Sequence, residues 1–519
     1  MLAMVMWLQP IDPFGFLTFS VLAAAAPISA LIVSLCVLRL ASHRSAAFAS
    51  IVAFAVALLI YQAPPEVVVL SYLYGAVFGL WPIAWIVVNA MFLYNVSKET
   101  GSIEAFRSWV EDNLPGDRAL VALFTAFLFG GLIEGIDGYG FPIAISSALL
   151  THLGLTPLQA VAVSLIANTI PVPFASLGVP VETLRVVSGL GLKGICIPLS
   201  LQLAVFSVVI SLSIIHMISG FKGLRRFFDV ATVAGLSMGL FIYVMSVYVD
   251  PHLAGVVSPM ASIPLTIAYM RARGMKPKTA VDLGAALRGW LPWLLAVAFM
   301  AVFGLTGGYK LISVRMPING LDGEVYISLY GRPYQAVYEW QLLAHGTLAL
   351  LSALTVASIY RLKPGRVARI YLATWSQMRY AVLTILQVVG LAFLMNYAGL
   401  SFTLGYVLST TGRFFPMLSG FIGWLGTFVS GSETGSNALF GNLQRVSAEL
   451  LGLPPYVIVS LNCTGGVFGK IVCLQSISIG VSAVKLVGRE GEIMRRLLPY
   501  SLVLTASLGL IAYLQIALA

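Results

Sequence analysis

Long apolar runs follow one another along almost the whole chain, and they restrict its fold more than any other feature. Runs such as Phe14–Leu38 and Ile195–Ile218 are long enough to cross a bilayer, which takes about 20 residues of helix. Of the 519 residues, 59% are hydrophobic and only 10% are charged, whereas soluble domains have about 25% charged residues. This composition excludes a soluble enzyme and a disordered chain. Because the runs lack the alternation of a membrane barrel, the sequence predicts an all-α polytopic membrane protein.

Basic residues are concentrated in the short connections between the apolar runs, and the net charge is +10. Connections rich in Lys and Arg stay on the cytoplasmic side of a membrane. On that basis the chain is predicted to cross the plasma membrane roughly 12 times, with both termini outside the cytoplasm. The basic connections that fix this orientation are 39–44, 222–226, 271–288, 361–369 and 485–496.

Two apolar segments are interrupted by glycines and polar residues and do not fit as simple crossings. Counting between the basic connections requires 119–150 to return to the side from which it starts, and 414–450 to do so from the opposite side. Each is therefore predicted to be a re-entrant hairpin. The segments that follow them, 158–187 and 456–484, must cross once and are predicted to be broken helices.

Each half of the chain thus contains a hairpin followed by a broken helix, in opposite orientations. This is the pattern of secondary transporters that are built from inverted repeats. Six units are predicted from it: N-terminal spans with an interfacial helix at 1–118, a first repeat core at 119–219, intermediate spans at 220–306, an extracytoplasmic loop with a strand at 307–339, a second repeat core at 340–487 and a last span at 488–519.

Interrupted membrane helices present free backbone N–H groups and a partial positive charge, which can bind an anion. Glycines can instead serve close helix packing, and that alternative stays open for each motif. The interruptions fall in four motifs, Asp137–Phe141, Asn168–Phe174, Ser430–Asn437 and Asn462–Lys470.

Residues in or near these motifs that can donate hydrogen bonds to a small anion are the candidates for substrate binding. They are Asn168, Thr169, Ser436, Asn437, Asn462, Thr464, Lys470 and Gln475. All except Lys470 and Gln475 are expected to line one cavity.

Ionisable residues are rare inside the apolar runs, and each is costly there unless it is paired or faces water. A desolvated carboxylate favours its proton, so Glu134, Asp137 and Glu433 are the candidates for proton coupling. Lys470 is predicted either to bind a substrate carboxylate or to neutralise Glu433. If it neutralises Glu433, Glu134 is the preferred proton carrier. Glu182 lies near a segment end and is expected to reach the headgroup region.

Several longer motifs resemble those of the L-lactate permease family, and the resemblance covers nearly the whole chain. It implies a symporter that moves lactate, glycolate and related 2-hydroxy monocarboxylates together with protons, with no cofactor, no metal and no nucleic-acid partner. The motifs are "GLWPIAWI" from Gly79, "EGIDGYGFPIAI" from Glu134, "IANTIPVPF" from Ile166, "SETGSNALF" from Ser432 and "TGGVFGK" from Thr464.

The chain departs from the family pattern at a few positions. Ile136 and Asp137 replace residues that are usually small, and Leu474 replaces a residue that is usually Pro. Asp137 adds an acidic side chain beside the expected anion site. A small carboxylate other than lactate or glycolate is therefore an alternative substrate. A passive organic-anion channel is a further alternative, although a channel needs no carboxylate within the membrane to carry a proton. An enzyme is not predicted, because no nucleophile–base or metal-ligand spacing is found among the histidines and cysteines.

Overall fold

Helices account for most of the structure, and short strands lie at one end of the helical bundle. The computed structural model describes residues 6–138, 140–152, 154–276 and 283–518. Lys278 of the predicted basic connection lies outside the described residues. In the described part, nine helices are long and apolar enough to cross a membrane, or ten if a bent pair counts as one span. The prediction of a multi-pass helical protein is confirmed.

The N-terminal helices are separated by short connections. They are α1 (Leu17–Cys36), α2 (Ser42–Leu59), α3 (Pro65–Phe78), α4 (Trp85–Glu99) and α5 (Ser102–Asp112). A π-helical turn that contains Pro82 joins α3 to α4, because proline cannot donate the regular helical hydrogen bond. The predicted interfacial helix is present as α5. Its Phe106 is buried and packs edge-on against the ring of Trp290, so this face of α5 covers protein.

The predicted first hairpin and broken helix lie between residues 118 and 188. The helices are α6 (Arg118–Ala122), which continues through a π-helical turn into α7 (Gly130–Ile136), then α8 (Phe141–His152), α9 (Pro157–Ala167) and α10 (Ala175–Ser188). The chain bends by 65° between α9 and the segment that contains α10. Pro171 and Pro173 lie in this bend and lack N–H groups. Ser176, Leu177 and Gly178 then have positive φ angles of 48°, 58° and 80°, so α10 is regular only beyond them.

The middle of the chain contains α11 (Leu192–Val244), α12 (Pro251–Ala272) and α13 (Leu283–Thr306). The backbone of α11 leaves helical geometry at Gly220, with φ 60° and ψ −162°, and the chain folds back there. A Cβ atom added to Gly235 would lie 2.6 Å from Val208 Cα. The two parts of α11 therefore pack against each other, and glycine permits the close approach.

The predicted loop at 307–339 contains strands, and one of them pairs with the N-terminus. The strands are β1 (Trp7–Gln9), β2 (Ser313–Pro317), β3 (Val325–Ile327), β4 (Arg332–Pro333) and β5 (Val337–Gln341). β1 runs parallel to β3 and β4 antiparallel to it, while β2 and β5 form a separate antiparallel pair. The described N-terminal residues and this loop therefore lie at the same end of the bundle.

The predicted second hairpin and second broken helix fall in the C-terminal part. Its helices are α14 (His345–Ile359), α15 (Pro364–Tyr397), α16 (Leu400–Ser409), α17 (Phe415–Ser430), α18 (Glu433–Leu450), α19 (Pro455–Val472), α20 (Leu474–Ala483) and α21 (Glu490–Leu518). The hairpin is the pair α17 and α18, and the broken helix is the pair α19 and α20.

The broken helix formed by α19 and α20 is interrupted at a different residue from the one predicted. The motif Asn462–Lys470 is continuous helix, and the interruption comes at Cys473, which is extended with ψ 137°. A Cβ atom on Gly465 would overlap the carbonyl oxygen of Gly420, and one on Gly469 would overlap that of Trp424. These glycines therefore serve close packing of α19 against α17, which is the alternative that the sequence left open.

Several of the basic connections meet at one end of the bundle. Arg273 pairs with Asp229 at 2.9 Å and donates to the carbonyl oxygen of Arg226 at 2.7 Å. Arg366 pairs with Glu99 at 2.8 Å. β5 precedes α14 and Arg361 follows it, so the length of α14 separates these connections from the strands.

Candidate functional site

The beginnings of four helices converge on one cavity of about 490 Å³. Two belong to second arms of the hairpins, α8 and α18, and two to the second halves of the broken helices, α10 and α20. A helix N-terminus carries free N–H groups and a partial positive charge, so their convergence favours a small anion. The lining residues from these four places are Gly138, Gly140, Ser176, Val179, Ser432, Glu433, Thr434, Gly435, Gln475 and Ser476.

Local sequence explains why the two helices of the second half begin at the cavity. Gly431 takes a left-handed conformation with φ 71°, which ends α17 and turns the chain. The Ser432 hydroxyl then accepts a hydrogen bond from the Gly435 N–H at 3.1 Å and caps α18. The Cys473 sulfur caps α20 in the same way, by accepting from the Ser476 N–H at 3.4 Å.

The tips of both predicted hairpins border the cavity. Gly138 and Gly140 of the first tip and Gly431 of the second line the same cavity. Both tips contact α20, because a Cβ atom on Gly140 would meet Ile479 and one on Gly431 would meet the Gln475 side chain.

Lys470 lines the cavity and pairs with a carboxylate from the other half of the chain. Its Nζ lies 2.5 Å from Glu134 Oε1, and Asn168 Nδ2 donates to Glu134 Oε2 at 3.0 Å. Glu134 is fully buried. Of the two roles that the sequence left open for Lys470, neutralising Glu433 is not the one seen, because the ion pair forms with Glu134 instead. The α19 helix packs against its own hairpin, where Gly469 meets Trp424 of α17, and the Lys470 side chain at its end reaches across to the first hairpin.

Glu433 is the corresponding acidic residue of the second hairpin, and its surroundings are different. The carboxyl lines the cavity, is 4% exposed, and accepts a hydrogen bond from Thr427 Oγ1 at 3.0 Å. Within the described parts of the chain, no basic side chain forms an ion pair with it. Protonation would remove the desolvation penalty that an unpaired carboxylate carries.

Asp137, the third candidate for proton coupling, lies at the first hairpin tip. Its side chain is buried, and its carbonyl oxygen accepts a hydrogen bond from Ser176 Oγ at 2.5 Å. This bond joins the first hairpin tip to the irregular start of α10. Asp137 directly precedes Gly138, which lines the cavity.

Two of the predicted substrate-binding residues, Asn437 and Asn462, form a buried network with Gln444. Asn462 Nδ2 donates to Asn437 Oδ1 at 2.8 Å, and Gln444 Nε2 donates to Asn462 Oδ1 at the same distance. Asn437 Nδ2 donates to the carbonyl oxygen of Pro180 at 3.0 Å. The network ties α18 to α19 and to the broken helix α10. Thr464 makes a similar contact with α11, since its hydroxyl donates to Gln202 Oε1 at 2.5 Å.

The expected common lining by six polar residues is not seen in this structure. The side chains of Thr169 and Ser436 bond to backbone carbonyls, those of Ile166 at 2.8 Å and Gly423 at 3.1 Å. The cavity is bounded instead by other members of the predicted set, namely Glu433, Lys470 and Gln475. The six expected residues are buried elsewhere: Ser436 and Asn437 lie within α18, Asn462 and Thr464 within α19, and Asn168 and Thr169 at the break after α9.

The remaining wall of the cavity was not predicted from the sequence. It comes from α1, the start of α2 and α15, and it is largely apolar. His43 and Tyr380 stack at the mouth with ring centroids 4.7 Å apart. The mouth therefore lies beside the basic connection 39–44. Ser176 and Ser476 also line the cavity and were not predicted. Their positions beside the helix interruptions are the sequence signal that could have identified them.

Comparison with known proteins places this architecture in a family. The family model for L-lactate permease matches residues 20–519. The chain belongs to the L-lactate permease family.

Curated relatives of this permease match along nearly their whole length. The L-lactate permease of Salmonella typhimurium is 34% identical, with 98% of each chain covered. The glycolate permease GlcA of Escherichia coli is 34% identical, covering 99% of this chain and 98% of that one. The L-lactate permease of Bacillus subtilis is 33% identical, with 98% of each covered. The chain is therefore a membrane transporter and not an enzyme.

A second group of buried ionisable residues lies in this permease at the far end of α10. Asp250 caps α12, and its Oδ1 lies 2.9 Å from His252 Nδ1 while its Oδ2 lies 2.8 Å from His345 Nε2. The two imidazole rings are stacked with centroids 3.6 Å apart. His252 Nε2 faces Glu182 Oε2 at 3.9 Å.

The sequence suggested that Glu182 reaches toward the lipid headgroups, but this expectation is wrong. Its side chain is 7% exposed and forms an ion pair with Arg185 at 2.5 Å. A buried carboxylate needs such a partner. Since Arg185 lies one turn further along α10, the pair could have been expected from the spacing.

The arrangement of Asp250 and the two histidines is that of a hydrogen-bonded group rather than a metal shell. Their ligand atoms lie within 4.8 Å of one another. However, each Asp250 oxygen is engaged by one imidazole, and stacked rings do not direct their in-plane lone pairs at a common ion. Burial raises the pKa of Asp250, but the two imidazoles outweigh this and hold the pKa well below its usual range.

Proposed function

We propose that this permease moves lactate, glycolate and related 2-hydroxy monocarboxylates across the plasma membrane together with protons. The names of the relatives at 34% identity support the substrate class. The observation that carries the coupling is the ion pair between Lys470 and Glu134, at 2.5 Å beside the cavity. The proton gradient supplies the driving force, and no cofactor is required.

Lys470 is the proposed receptor for the substrate carboxylate. Among the described residues that line the cavity, it is the one Lys or Arg. While Glu134 is ionised, it occupies the ammonium group and leaves little attraction for a second carboxylate. A proton on Glu134 removes that competition and releases Lys470 toward the substrate. The proton and the anion therefore bind together, and each raises the affinity for the other.

Neutral donors around Lys470 complete the proposed substrate site. Thr434, Gln475 and Ser476 line the cavity at the beginnings of α18 and α20. Their side chains, with the free N–H groups of the helix N-termini, suit the carboxylate and the 2-hydroxyl group. In this proposal Asn168 does not bind the substrate, because its amide donates to Glu134 and orients that carboxylate.

We further propose twelve crossings with two hairpins, arranged as inverted repeats. The return of α11 at Gly220 supports this number, since it divides one long helix into two crossings. The recurrence of a hairpin and a broken helix in both halves supports the repeats. The repeat cores are 119–219 and 340–487.

The proposed orientation places the basic connections in the cytoplasm and the strands outside. The pairing of β1 with β3 supports an extracytoplasmic N-terminus, and the twelve crossings then place the C-terminus outside as well. In this proposed orientation the mouth at His43 opens to the cytoplasm, and the conformation is inward-open.

Glu134→Gln in proteoliposomes tests the coupling. The variant mimics permanently protonated Glu134 and leaves Lys470 free. We expect it to lose lactate accumulation that is driven by a pH gradient, while it keeps lactate exchange at equal concentrations on both sides. The surface variant Glu99→Gln is the control and should behave like the parent. Accumulation by Glu134→Gln at the parent level would show that this carboxylate does not carry the proton. A passive channel would show no accumulation in the parent itself.

A further inference from the structure

The group of Glu182, Arg185, Asp250, His252 and His345 is not used by the proposed substrate site. Side chains from α10, α12 and α14 contribute to it, and the side chains of Asp250, Glu182 and His252 are each at most 7% exposed. The His345 side chain is 17% exposed and connects the group to the surface. The ring of Tyr309 lies near His345, and Glu339 on β5 acts on Arg185 from further away.

The charges in this group balance only when it holds one proton. Asp250 and Glu182 are negative and Arg185 is positive, so two neutral imidazoles leave a net charge of −1. One protonated imidazole brings the sum to zero, whereas two would place stacked cations in contact. Because uncompensated charge is costly in a buried site, the group is suited to bind a single proton.

A proton on His252 would also join two helices. Protonated His252 donates from Nδ1 to Asp250 and directs its second N–H at Glu182 Oε2, 3.9 Å away. The first partner belongs to the start of α12 and the second to α10. In the neutral form one of the two donors is lost, and His252 Nε2 has no hydrogen-bond partner within the described residues.

The part of α10 beside His252 leads directly to the cavity. A Cβ atom on Gly178 would lie 3.1 Å from His252 Cα. Gly178 follows Ser176, which lines the cavity and bonds to the first hairpin tip. Since Ser176 and Leu177 have strained positive φ angles, this stretch is a place where the broken helix can change its shape.

The group lies at the end of the bundle opposite the cavity mouth. His345 begins α14 directly after β5, at the end where the strands are found. The mouth at His43 follows α1, whose 20 residues span about 30 Å from the strand end.

We propose that Asp250, His252, His345 and Glu182 form a proton-binding site that holds the extracytoplasmic end of the transporter closed. This inference rests on the proposed orientation and on alternating access to the cavity. A proton bound from outside clamps α10 to α12 and favours the inward-open conformation, and loss of that proton releases α10.

Alkylation of a cavity cysteine tests the site without depending on transport. Thr384→Cys is placed in a Cys36→Ser background, because Thr384 lines the cavity on α15 and Cys36 is exposed. A membrane-impermeant maleimide is added on the side of the mouth while the pH on the opposite side is lowered from about 8 to about 5.5, across the range of histidine. The alkylation rate should rise about fivefold, the lower end of typical coupling between linked sites.

Two variants should abolish this response. Glu182→Gln removes the charged acceptor on α10, so protonated His252 no longer clamps that helix, and His252→Gln cannot bind the proton. The alkylation rate of both variants should therefore stay low at both pH values. His216→Gln, which changes a histidine of α11 outside the group, should keep the parent response. Thermal unfolding of both variants at the parent temperature separates loss of the clamp from damaged packing.

A parent-like pH response in both Glu182→Gln and His252→Gln would overturn the proposal. So would a parent whose alkylation rate does not change with pH. Failure of the proposed proton coupling is detected separately, by Glu134→Gln in the accumulation assay, because alkylation needs no net transport.

Discussion

Glu134 and Glu433 occupy comparable places in the two hairpins, yet their surroundings differ. Glu134 is paired with Lys470 and receives a hydrogen bond from Asn168. Glu433 lines the cavity itself and receives a hydrogen bond from the neutral hydroxyl of Thr427. The difference teaches that similar halves of a chain need not share one task. In the proposed mechanism, the paired carboxylate takes up the proton and releases Lys470 to the substrate, and the unpaired one takes no part in the coupling.

The largest expected effect comes from breaking the ion pair on the lysine side. Lys470→Met leaves Glu134 buried without its cation, and loss of one partner of a buried pair costs about 3–5 kcal/mol. We expect the free energy of unfolding to fall by about this amount and lactate uptake to be abolished. Thermal unfolding in detergent and proteoliposome uptake measure the two effects.

The double variant Lys470→Met with Glu134→Gln is the matched control for the pair. It removes both charges, so we expect most of the lost stability to return while uptake stays absent. A Lys470→Met protein as stable as the parent would contradict the pairing, and restored uptake in the double variant would contradict the role of Lys470 in substrate binding.

A smaller effect is expected from Asn168→Ala, which removes the amide donor to Glu134 Oε2. Hydrogen bonds to charged groups contribute about 2 kcal/mol, so stability should fall by roughly that amount. Because Glu134 is then held less firmly, the apparent affinity for lactate should change as well. Asn437→Ala is the comparison, since Asn437 bonds to the Pro180 carbonyl and not to the pair. It should alter stability but leave the apparent affinity unchanged. Equal affinity changes in both variants would remove the distinction between the pair and the network.

The smallest effect is expected from Glu433→Gln. No ion pair is lost, and the amide oxygen still accepts from Thr427, so stability and pH-driven accumulation should stay within about twofold of the parent, or ~0.4 kcal/mol. Accumulation assays with Glu134→Gln alongside give the contrast directly. Loss of accumulation in Glu433→Gln but not in Glu134→Gln would reverse the assignment of the two carboxylates.

Much of the fold was predictable because its signals are local. The lengths of the apolar runs predict the crossings, and the placement of basic residues predicts which connections share an end. Pro171, Pro173 and the glycine at 431 mark real interruptions, because proline lacks a donor and glycine accepts a left-handed turn. Glycines alone were less informative, since those of α19 serve close packing and leave the helix continuous.

The candidate site was only partly predictable. The motifs that contain Glu134, Glu433, Lys470 and Gln475 do surround the cavity or its ion pair. The asparagines of α18 and α19 were expected in the cavity and lie instead in a network between helices. Periodicity fixes which residues share a helix face, but it does not tell which face meets the cavity and which meets a neighbouring helix.

The sequence by itself determined that this chain is a multi-pass helical protein with interrupted helices and a few costly charges within the membrane. Those properties follow from transfer free energies and backbone chemistry that act residue by residue. Only the tertiary structure decided that Lys470 pairs with Glu134, 336 residues away, and that His345 meets Asp250, 95 residues away. Such contacts are set by how the helices pack, and a buried charge takes whichever partner that packing brings within reach.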